Sequence, residues 1–152
     1  MPFDERNAIN LIAAQERSIA GVANSYAYAE NPDSLPNAVL PAVVHFIPSF
    51  TSTPRAFHNV WENSMVFQSV LFVMPRESAG GKLRYIENAA IPFGQKWRDK
   101  FQDSTVIANL LSGLAGVKVF LTGGTYGVGG QLLEFGGISY IGWVITFECV
   151  SA

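Results

Sequence analysis

The sequence has little charge. Only 14% of its 152 residues are Asp, Glu, Lys or Arg, whereas 49% are hydrophobic, and soluble domains average about 25% charged residues. No apolar run approaches the ~18 residues of a transmembrane helix. The first residues lack a basic leader followed by an apolar core, so we expect neither a membrane span nor a signal peptide. We therefore expect the surplus of apolar residues to lie in contacts with other protein chains, which predicts an assembly subunit. The length of the chain predicts a single domain over residues 1–152.

Positive charge and cysteine are scarce too. Ten basic and 12 acidic residues give a net charge of −2, and neither half of the chain has the basic excess typical of proteins that bind nucleic acid through phosphates. Lys96, Arg98 and Lys100 alternate with Asp99, a pattern that favours the solvated side of a helix over a phosphate site. The single cysteine, Cys149, excludes an internal disulfide and fits a reducing compartment. Its place on the apolar face of a strand predicts a buried hydrophobic residue rather than a nucleophile.

Residues that carry chemistry are few. His45 lies in a short apolar strand and is predicted to be structural, and His58 lies beside Phe57 and Trp61, where packing is favoured over general-base catalysis. No Cys/His group has the spacing of a zinc site. The glycines of Gly123–Gly130 do not fit the dinucleotide motif G-x-G-x-x-G. We therefore predict no catalytic residue, no metal and no cofactor, in a protein that is not an enzyme.

Hydrophobic periodicity predicts an α+β domain, in which a mostly antiparallel or mixed sheet of four to five strands is flanked by two main helices. The first predicted helix runs from Asp4 to about Ala20, stopped by Gly21, and has on one side Ala8, Leu11, Ile12, Gln15 and Ile19. Lys82–Phe101 is predicted as one helix kinked at Pro92 or as two abutting helices, with one side formed by Leu83, Ile86, Ala90, Phe93, Trp97 and Phe101. A short third helix is predicted over Ser104–Leu114. The predicted strands are Val22–Ala29, Ala42–Ile47, Ser64–Met74, Val117–Thr122 and Ser139–Cys149. Ser64–Met74 is apolar on both faces, with Met65, Phe67, Leu71 and Val73 on one and Val66, Val70, Phe72 and Met74 on the other, which is typical of a central strand. The predicted core face of the last strand comprises Ile141, Trp143, Ile145, Phe147 and Cys149. Asn31–Pro41, with its three prolines, is predicted to be a loop.

Two long connections hold the candidate interaction residues. Pro48–Asn63 is predicted to be a polar and aromatic loop, and Gly123–Gly137, with half of the 14 glycines, a flexible hairpin arm or bulged loop containing a paired strand at Gln131–Phe135. Loops on a rigid sheet often bind partners, with aromatic residues contributing most of the energy. The candidate interface residues are Phe50, Arg55, Phe57, His58 and Trp61 in the first segment, and Thr125, Tyr126, Val128, Gln131 and Leu132 in the second. The alternative that Phe57 and Trp61 cover the domain's own sheet stays open.

The order of these segments follows a recognisable pattern. A helix with Ala8-Ile-Asn-Leu-Ile-Ala-Ala-Gln and a strand with Tyr26 and Tyr28 precede the proline-bearing stretch Asp33–His45. A long loop, a strand ending Phe72-Val-Met-Pro-Arg, a helix and a C-terminal strand Gly136-Gly-Ile-Ser-Tyr-Ile-Gly-Trp follow. Over nearly the whole chain this layout resembles the tail terminator, or neck, proteins that cap the tail tube of long non-contractile-tailed bacteriophages and join it to the head.

The resemblance implies a ring, commonly a hexamer, in the tail or neck of a virion assembled in the host cytoplasm. Implied partners are further copies of the chain, the tail tube protein and a head completion or connector protein, while DNA passes through the lumen without being read. A net charge near zero suits a channel that must not hold phosphates. Alternative functions are a head–tail connector, a tail-tube subunit or a minor capsid subunit. From a different class, a small cytoplasmic ligand-binding protein or enzyme would have its pocket between the kinked helix and the sheet.

Overall fold

A mixed sheet forms the middle of the protein. The computed structural model describes residues 5–27, 30–55, 60–79, 88–112, 117–130 and 132–151. Within these ranges the strands are β1 (Asn24–Ser25), β2 (Ala42–Arg55), β3 (Val60–Pro75), β4 (Val117–Val128), β5 (Glu134–Phe135) and β6 (Ile138–Ser151). The order across the sheet is β1-β2-β3-β6-β4, and β5 pairs with β6. Only β1 and β2 are parallel among the described pairs, which confirms the predicted α+β fold with a mixed, mostly antiparallel sheet.

β3 is the central strand that its sequence predicted. It lies between β2 and β6 and is covered on both faces by apolar clusters. On the helix side it buries the predicted set Met65, Phe67, Leu71 and Val73. Val70 and Phe72 point to the other face as expected. Met74 was expected beside them, but a bulge between Phe72 and Met74 turns it toward the helix side, because an extra residue reverses the alternation of faces.

The helices α1 (Glu5–Glu16), α2 (Pro92–Phe101) and α3 (Ser104–Ser112) pack on one face of the sheet. No helix in the described ranges has the length and hydrophobicity needed to span a membrane. The predicted first helix is four residues too long, because turns replace it after Glu16 and lead to Gly21, whose φ of 94° requires glycine. The expected stripe of α1 was partly wrong: Leu11 and Gln15 are only half-buried.

Local chemistry sets the starts of α2 and α3. Pro92 is the first residue of α2, where its missing N–H costs no hydrogen bond, so the proline begins a helix of its own, as in the predicted alternative of two abutting helices. A helical turn over residues 88–90 precedes it, and residues 80–87 of the predicted Lys82–Phe101 helix lie outside the described residues. Asp103 caps the N-terminus of α3, because its carboxylate accepts a hydrogen bond from the backbone N–H of Thr105 at 2.7 Å.

Two apolar clusters lie on opposite faces of the sheet. The larger one, under the helices, takes Ala8, Ile9 and Ile12 from α1, Phe93, Trp97 and Phe101 from α2, and Leu110 from α3. The smaller one lies under the predicted loop Asn31–Pro41, where Leu35 packs against the sheet. There the hydroxyl of Tyr140 donates a hydrogen bond to the Leu35 carbonyl oxygen at 3.0 Å, and burial raises the pKa of Tyr140. This second cluster covers only one end of its face.

The predicted strand Val22–Ala29 is mostly wrong. Only Asn24 and Ser25 pair with β2, and residues 28 and 29 lie outside the described residues. After β1, isolated hydrogen bonds replace strand pairing at the edge of β2. The Tyr26 N–H donates to the Val43 carbonyl, and the Asn31 side-chain amide donates to the His45 carbonyl. The chain therefore leaves the sheet while still covering the first four residues of β2.

Candidate interaction surfaces

Most of the first predicted loop, Pro48–Asn63, belongs to the two strands of a β-hairpin, so the loop assignment was wrong for residues 48–55 and 60–63, while residues 56–59 lie outside the described residues. Residues 49–55 of β2 pair with residues 60–66 of β3, and a bulge separates them from the first half of β2. In this half, β2 has no second neighbour among the described strands. Pro54 is compatible with this strand because an edge strand tolerates a residue without an N–H. We refer to Ser49–Arg55 and Val60–Ser64 together as the arm.

Phe50 is the one candidate residue of the arm whose side chain the structure describes. It is 72% exposed. It pairs with Met65, which is buried under the helices, so Phe50 lies on the helix side of the sheet. The backbones of Arg55 and Trp61 belong to the arm, but their side chains are outside the described part, as are Phe57 and His58 altogether. The predicted roles of these four residues remain predictions.

The glycine-rich segment is also more regular than predicted. Gly123–Val128 continues β4 and pairs with β6 after a bulge at Leu121–Gly123, so a flexible arm over Gly123–Gly137 is wrong for its first half. Glycines at 129, 130, 136 and 137 adopt positive φ in the turns that follow. Between these turns β5 pairs with β6, which bears out part of the expected strand at Gln131–Phe135.

The candidate residues of this segment fall into different environments. Thr125 and Leu132 are exposed. Tyr126 is half-buried, with its ring centroid 5.7 Å from that of Trp143, and Val128 packs against the larger apolar cluster. Gln131 lies outside the described residues. The segment is therefore an edge strand that contributes to the core on one face.

A cleft of about 240 Å³ lies between α2 and β4. Its lining comprises Gly94, Trp97, Arg98, Gln102, Leu121, Thr122, Gly123, Gly124, Trp143 and Ile145. Trp143 and Ile145 come from β6 and belong to the helix side of the sheet. The cleft therefore lies on the same face as Phe50 but at the opposite edge of the sheet.

Glycines shape this cleft. The Trp143 indole N–H donates to the Ala90 carbonyl at 2.7 Å, and a Cβ atom at Gly94 would lie 2.7 Å from the same ring. Only glycine lets α2 approach the ring so closely. At the open side, a Cβ atom at Gly124 would lie 3.6 Å from Trp143, whereas one at Gly123 would have no neighbour within 4 Å. The missing side chains leave the cleft open at the edge of β4.

Sequence reasoning missed a buried polar cluster around Glu16. The Glu16 carboxylate accepts hydrogen bonds from the Trp97 indole at 2.9 Å and the Ser25 hydroxyl at 3.3 Å. It also lies 2.6 Å from Nε2 of His45. The only sequence signal was its spacing, since Glu16 follows Ile12 by four residues and Ile9 by seven, on the stripe that α1 buries.

The cluster explains the structural role predicted for His45. Its Nδ1–H donates to the Tyr26 carbonyl at 2.8 Å, and a carbonyl oxygen only accepts. One proton therefore lies between Nε2 and the Glu16 carboxylate. Both side chains are at most 2% exposed, so the pair has no access for a substrate, and what it does is join α1, α2 and β2.

Cys149 behaves as the sequence predicted. The thiol is fully buried among apolar residues, and burial together with the adjacent Glu148 carboxylate raises its pKa from 9.0 to about 12. A thiol in this state is a poor nucleophile at neutral pH. Across the described ranges, no group of three His, Cys, Asp or Glu residues is arranged to hold a metal ion.

Of the basic residues of α2, Lys96 binds another part of the fold and Arg98 faces the solvent. Lys96 donates to the Ala20 carbonyl at 2.8 Å and lies 4.5 Å above the Phe93 ring, which fixes the end of the first helical segment to α2. Arg98 is exposed and donates to the Gln95 amide oxygen, so it stands at the rim of the cleft. This arrangement fits the predicted solvated helix face.

Neither the protein-family models nor the curated proteins with which the chain was compared match it.

Proposed function

We propose that this protein is a non-enzymatic virion structural protein whose ring caps the tail tube of a long-tailed bacteriophage. The ring would end tube polymerisation and offer the surface to which the head attaches. Its partners in this proposal are further copies of itself, the tail tube protein and a head completion or connector protein, with DNA passing through the lumen. The proposal rests on the resemblance in segment order and on one structural observation, the arm.

The arm supports an assembly role because it presents a surface that its own domain does not use. Residues 49–54 are all exposed. Among the described residues, β6 pairs with β3 as far as Asn63, and Val60–Glu62 pair with β2 alone, as a two-stranded ribbon. Such a ribbon is marginally stable alone and gains stability by packing against something else. Phe50 is exposed on this ribbon, and aromatic residues are enriched in protein interfaces.

The test is a tube-capping assay. The purified protein is added to phage tail tubes that are still growing in an extract lacking it, and tube lengths and ends are examined by negative-stain electron microscopy. We expect a uniform maximum length and a ring at one end of each tube. Light scattering behind a sizing column gives the mass of the free protein, with six times 16.5 kDa expected for a hexamer. Tubes of unchanged length, with no protein at their ends, would contradict the proposal.

The same assay separates the proposed function from its neighbours in the virion. A head–tail connector would bind the portal side of heads and leave tube length unchanged. A tail-tube subunit would itself extend the tubes. Binding to capsids without any tail would indicate a minor capsid subunit.

The cleft favours a second candidate, a small ligand-binding protein. It lies between a helix and the sheet, and its lining combines two indole rings with Arg98 and Gln102. Its volume of about 240 Å³ is below the 300–1,000 Å³ usual for ligand pockets. A screen of small aromatic anions by thermal shift tests this candidate, and stabilisation abolished by Gly124→Leu would support it over the ring.

A further inference from the structure

We infer that Phe50 of one copy of the chain occupies the cleft between α2 and β4 of the next copy. The inference rests on the proposed ring, and it names the two surfaces that join neighbouring subunits. It follows from the position, size and charge of two features that lie at opposite edges of one sheet.

The positions of the two features allow a head-to-tail contact. Phe50 belongs to β2 and the cleft borders β4, at the two ends of the β2-β3-β6-β4 order. Both lie on the helix side of the sheet, since Phe50 pairs with Met65 and the cleft contains Trp143. In that strand order the directions alternate, so a second sheet placed beside β4 with its β2 antiparallel keeps its helix side on the same side. With the second copy displaced only sideways, Phe50 lies level with Val119, to which it is related through Met65 and Cys149. A shift along β4, together with the rotation between neighbours that a closed ring requires, brings Phe50 to the cleft at Leu121–Gly124.

The cleft has the size and chemistry to take one aromatic side chain. Its volume of about 240 Å³ is small for a free ligand. Trp143 and Trp97 present indole rings to it, and aromatic rings prefer edge-to-face contacts with one another. Among the described large hydrophobic residues, Phe50 is the most exposed, and its exposure of 72% compares with 49% for Phe120.

The charges of the two edges are complementary. Near the open edge of β2, the charged residues whose side chains are described are Glu30, Glu62 and Arg17, whose Nε–H donates to the Ser25 carbonyl, so acids exceed bases there by one. At the opposite edge, Arg98 and Lys118 are exposed. Lys96 and Lys100 of α2 are half-buried beside them, and these four bases exceed the two neighbouring acids, Asp99 and Asp103, by two. Opposite net charge at two edges favours head-to-tail over head-to-head encounter.

A contact between two different surfaces of one chain is heterologous, and such contacts produce closed rings or open filaments. Each subunit then buries one arm and one cleft.

Disulfide trapping tests the contact directly. The double variant Phe50→Cys/Gln102→Cys places one thiol on the arm and one at the rim of the cleft, and bridging needs Cα atoms within about 7 Å. Because Cys149 is buried with a raised pKa, the native thiol does not interfere at neutral pH. After mild oxidation, we expect a ladder of covalent multimers on a non-reducing gel. The matched control Phe50→Cys/Phe120→Cys should give none, since Phe120 lies on β4 but on the opposite face.

A pair of glycine variants tests the cleft without adding thiols. Gly124→Leu places a side chain over Trp143 and Ile145, inside the cleft, while Gly123→Leu points to the opposite face where nothing lies within 4 Å. Both should fold, as checked by melting temperature. We expect Gly124→Leu and Phe50→Ala to raise the concentration needed for half-assembly about tenfold or more, and Gly123→Leu to leave it unchanged.

The outcomes separate this contact from the ring itself. A wild-type ring that gives no ladder from Phe50→Cys/Gln102→Cys, or that tolerates Gly124→Leu, overturns the contact and leaves the proposed function standing. Covalent dimers from Phe50→Cys alone would indicate a symmetric arm-to-arm contact and also overturn it. A wild-type protein that neither assembles nor caps tubes, together with an empty ladder, overturns both proposals.

Discussion

Nε2 of His45 lies 2.6 Å from Oε1 of Glu16, and the two residues are 29 positions apart in the chain. Neither side chain is more than 2% exposed. With Trp97 and Ser25 bonded to the same carboxylate, the pair connects a helix on one side of the core to the sheet and to a second helix. Removing one member leaves the other buried without its partner.

We therefore expect Glu16→Ala to lower the free energy of unfolding by about 3–5 kcal/mol, the cost of breaking a buried ionic pair. Glu16→Gln should cost less, about 1–2 kcal/mol, since the amide oxygen still accepts from Trp97 and the amide nitrogen donates to Nε2 of His45. Urea unfolding followed by circular dichroism measures both. Exposed Glu77→Ala is the control, expected within about 0.5 kcal/mol of wild type. Equal losses for the alanine and glutamine variants would contradict this account.

Ser69 offers the opposite case. Its hydroxyl is fully buried and has no hydrogen-bond partner within the described residues. Because an unpaired buried hydroxyl is costly, Ser69→Ala should raise the free energy of unfolding by about 1 kcal/mol, or the melting temperature by about 2–4 °C. Ser25→Ala is the matched variant, since it removes a hydroxyl that donates to Glu16, and should lower stability by about 1 kcal/mol. A loss of stability in Ser69→Ala would show that its hydroxyl has a bonding role.

Gly94 and Gly123 form a second matched pair. In an open helix, Gly→Ala is stabilising by about 1 kcal/mol. At Gly94 the new methyl group would lie 2.7 Å from the Trp143 ring, so we expect Gly94→Ala to cost about 1–3 kcal/mol through overpacking. Gly123→Ala meets nothing within 4 Å and should leave stability unchanged or raise it by up to ~1 kcal/mol. Thermal unfolding compares the two, and a stabilised Gly94→Ala would exclude the close approach of α2 to Trp143.

The raised pKa of Cys149 predicts how the free energy of unfolding changes at alkaline pH. Its pKa rises from 9.0 to about 12 on folding, so between these pH values the unfolded chain binds fewer protons than the folded one. The stabilisation is fully present below pH 9 and is lost as pH rises toward 12. Tyr140 has its pKa raised by burial as well and acts in the same direction. The difference in free energy of unfolding between wild type and Cys149→Ala, measured against pH, isolates the cysteine and should shrink over this window.

The same burial predicts slow thiol labelling. At pH 8 an aromatic disulfide reagent should modify Cys149 only as fast as the protein unfolds, so that urea accelerates the reaction. The exposed thiol of Phe50→Cys, labelled at once under the same conditions, is the control. Rapid modification of the wild-type protein in the absence of urea would contradict a buried Cys149.

The sequence was most informative where periodicity and burial coincide. β3 was predicted as the central strand because it is apolar on both faces, and Phe93, Trp97 and Phe101 were predicted to share one helical side because they repeat every four residues. The faces of β6 were predicted correctly for Ile141 through Cys149. In each of these elements, only one orientation of the helix or strand buries all of its apolar side chains, so the pattern predicts the buried face.

It was least informative where an element has an open edge. Proline and glycine normally mark loops, so the arm and the second half of β4 were both predicted as connections. An edge strand tolerates Pro54 because the missing N–H faces away from its partner. The glycines of β4 gave no strand signal because glycine has no side chain to show an alternation of faces and is depleted in strands. Glu16 was missed because its partner His45 is distant in sequence.

The bulge in β2 decides which side of the molecule the arm presents. Residues four apart in an unbroken strand share a face, yet Phe46 packs in the smaller cluster while Phe50 lies on the helix side. The two faces are exchanged by the one residue that β2 has in excess of β3 between Phe46 and Ser49. If the same residues formed an unbroken strand without this bulge, Phe50 would lie on the face of the smaller cluster, away from the helices. The extra residue in this short stretch therefore determines which face of the sheet carries Phe50 and its neighbours in the arm.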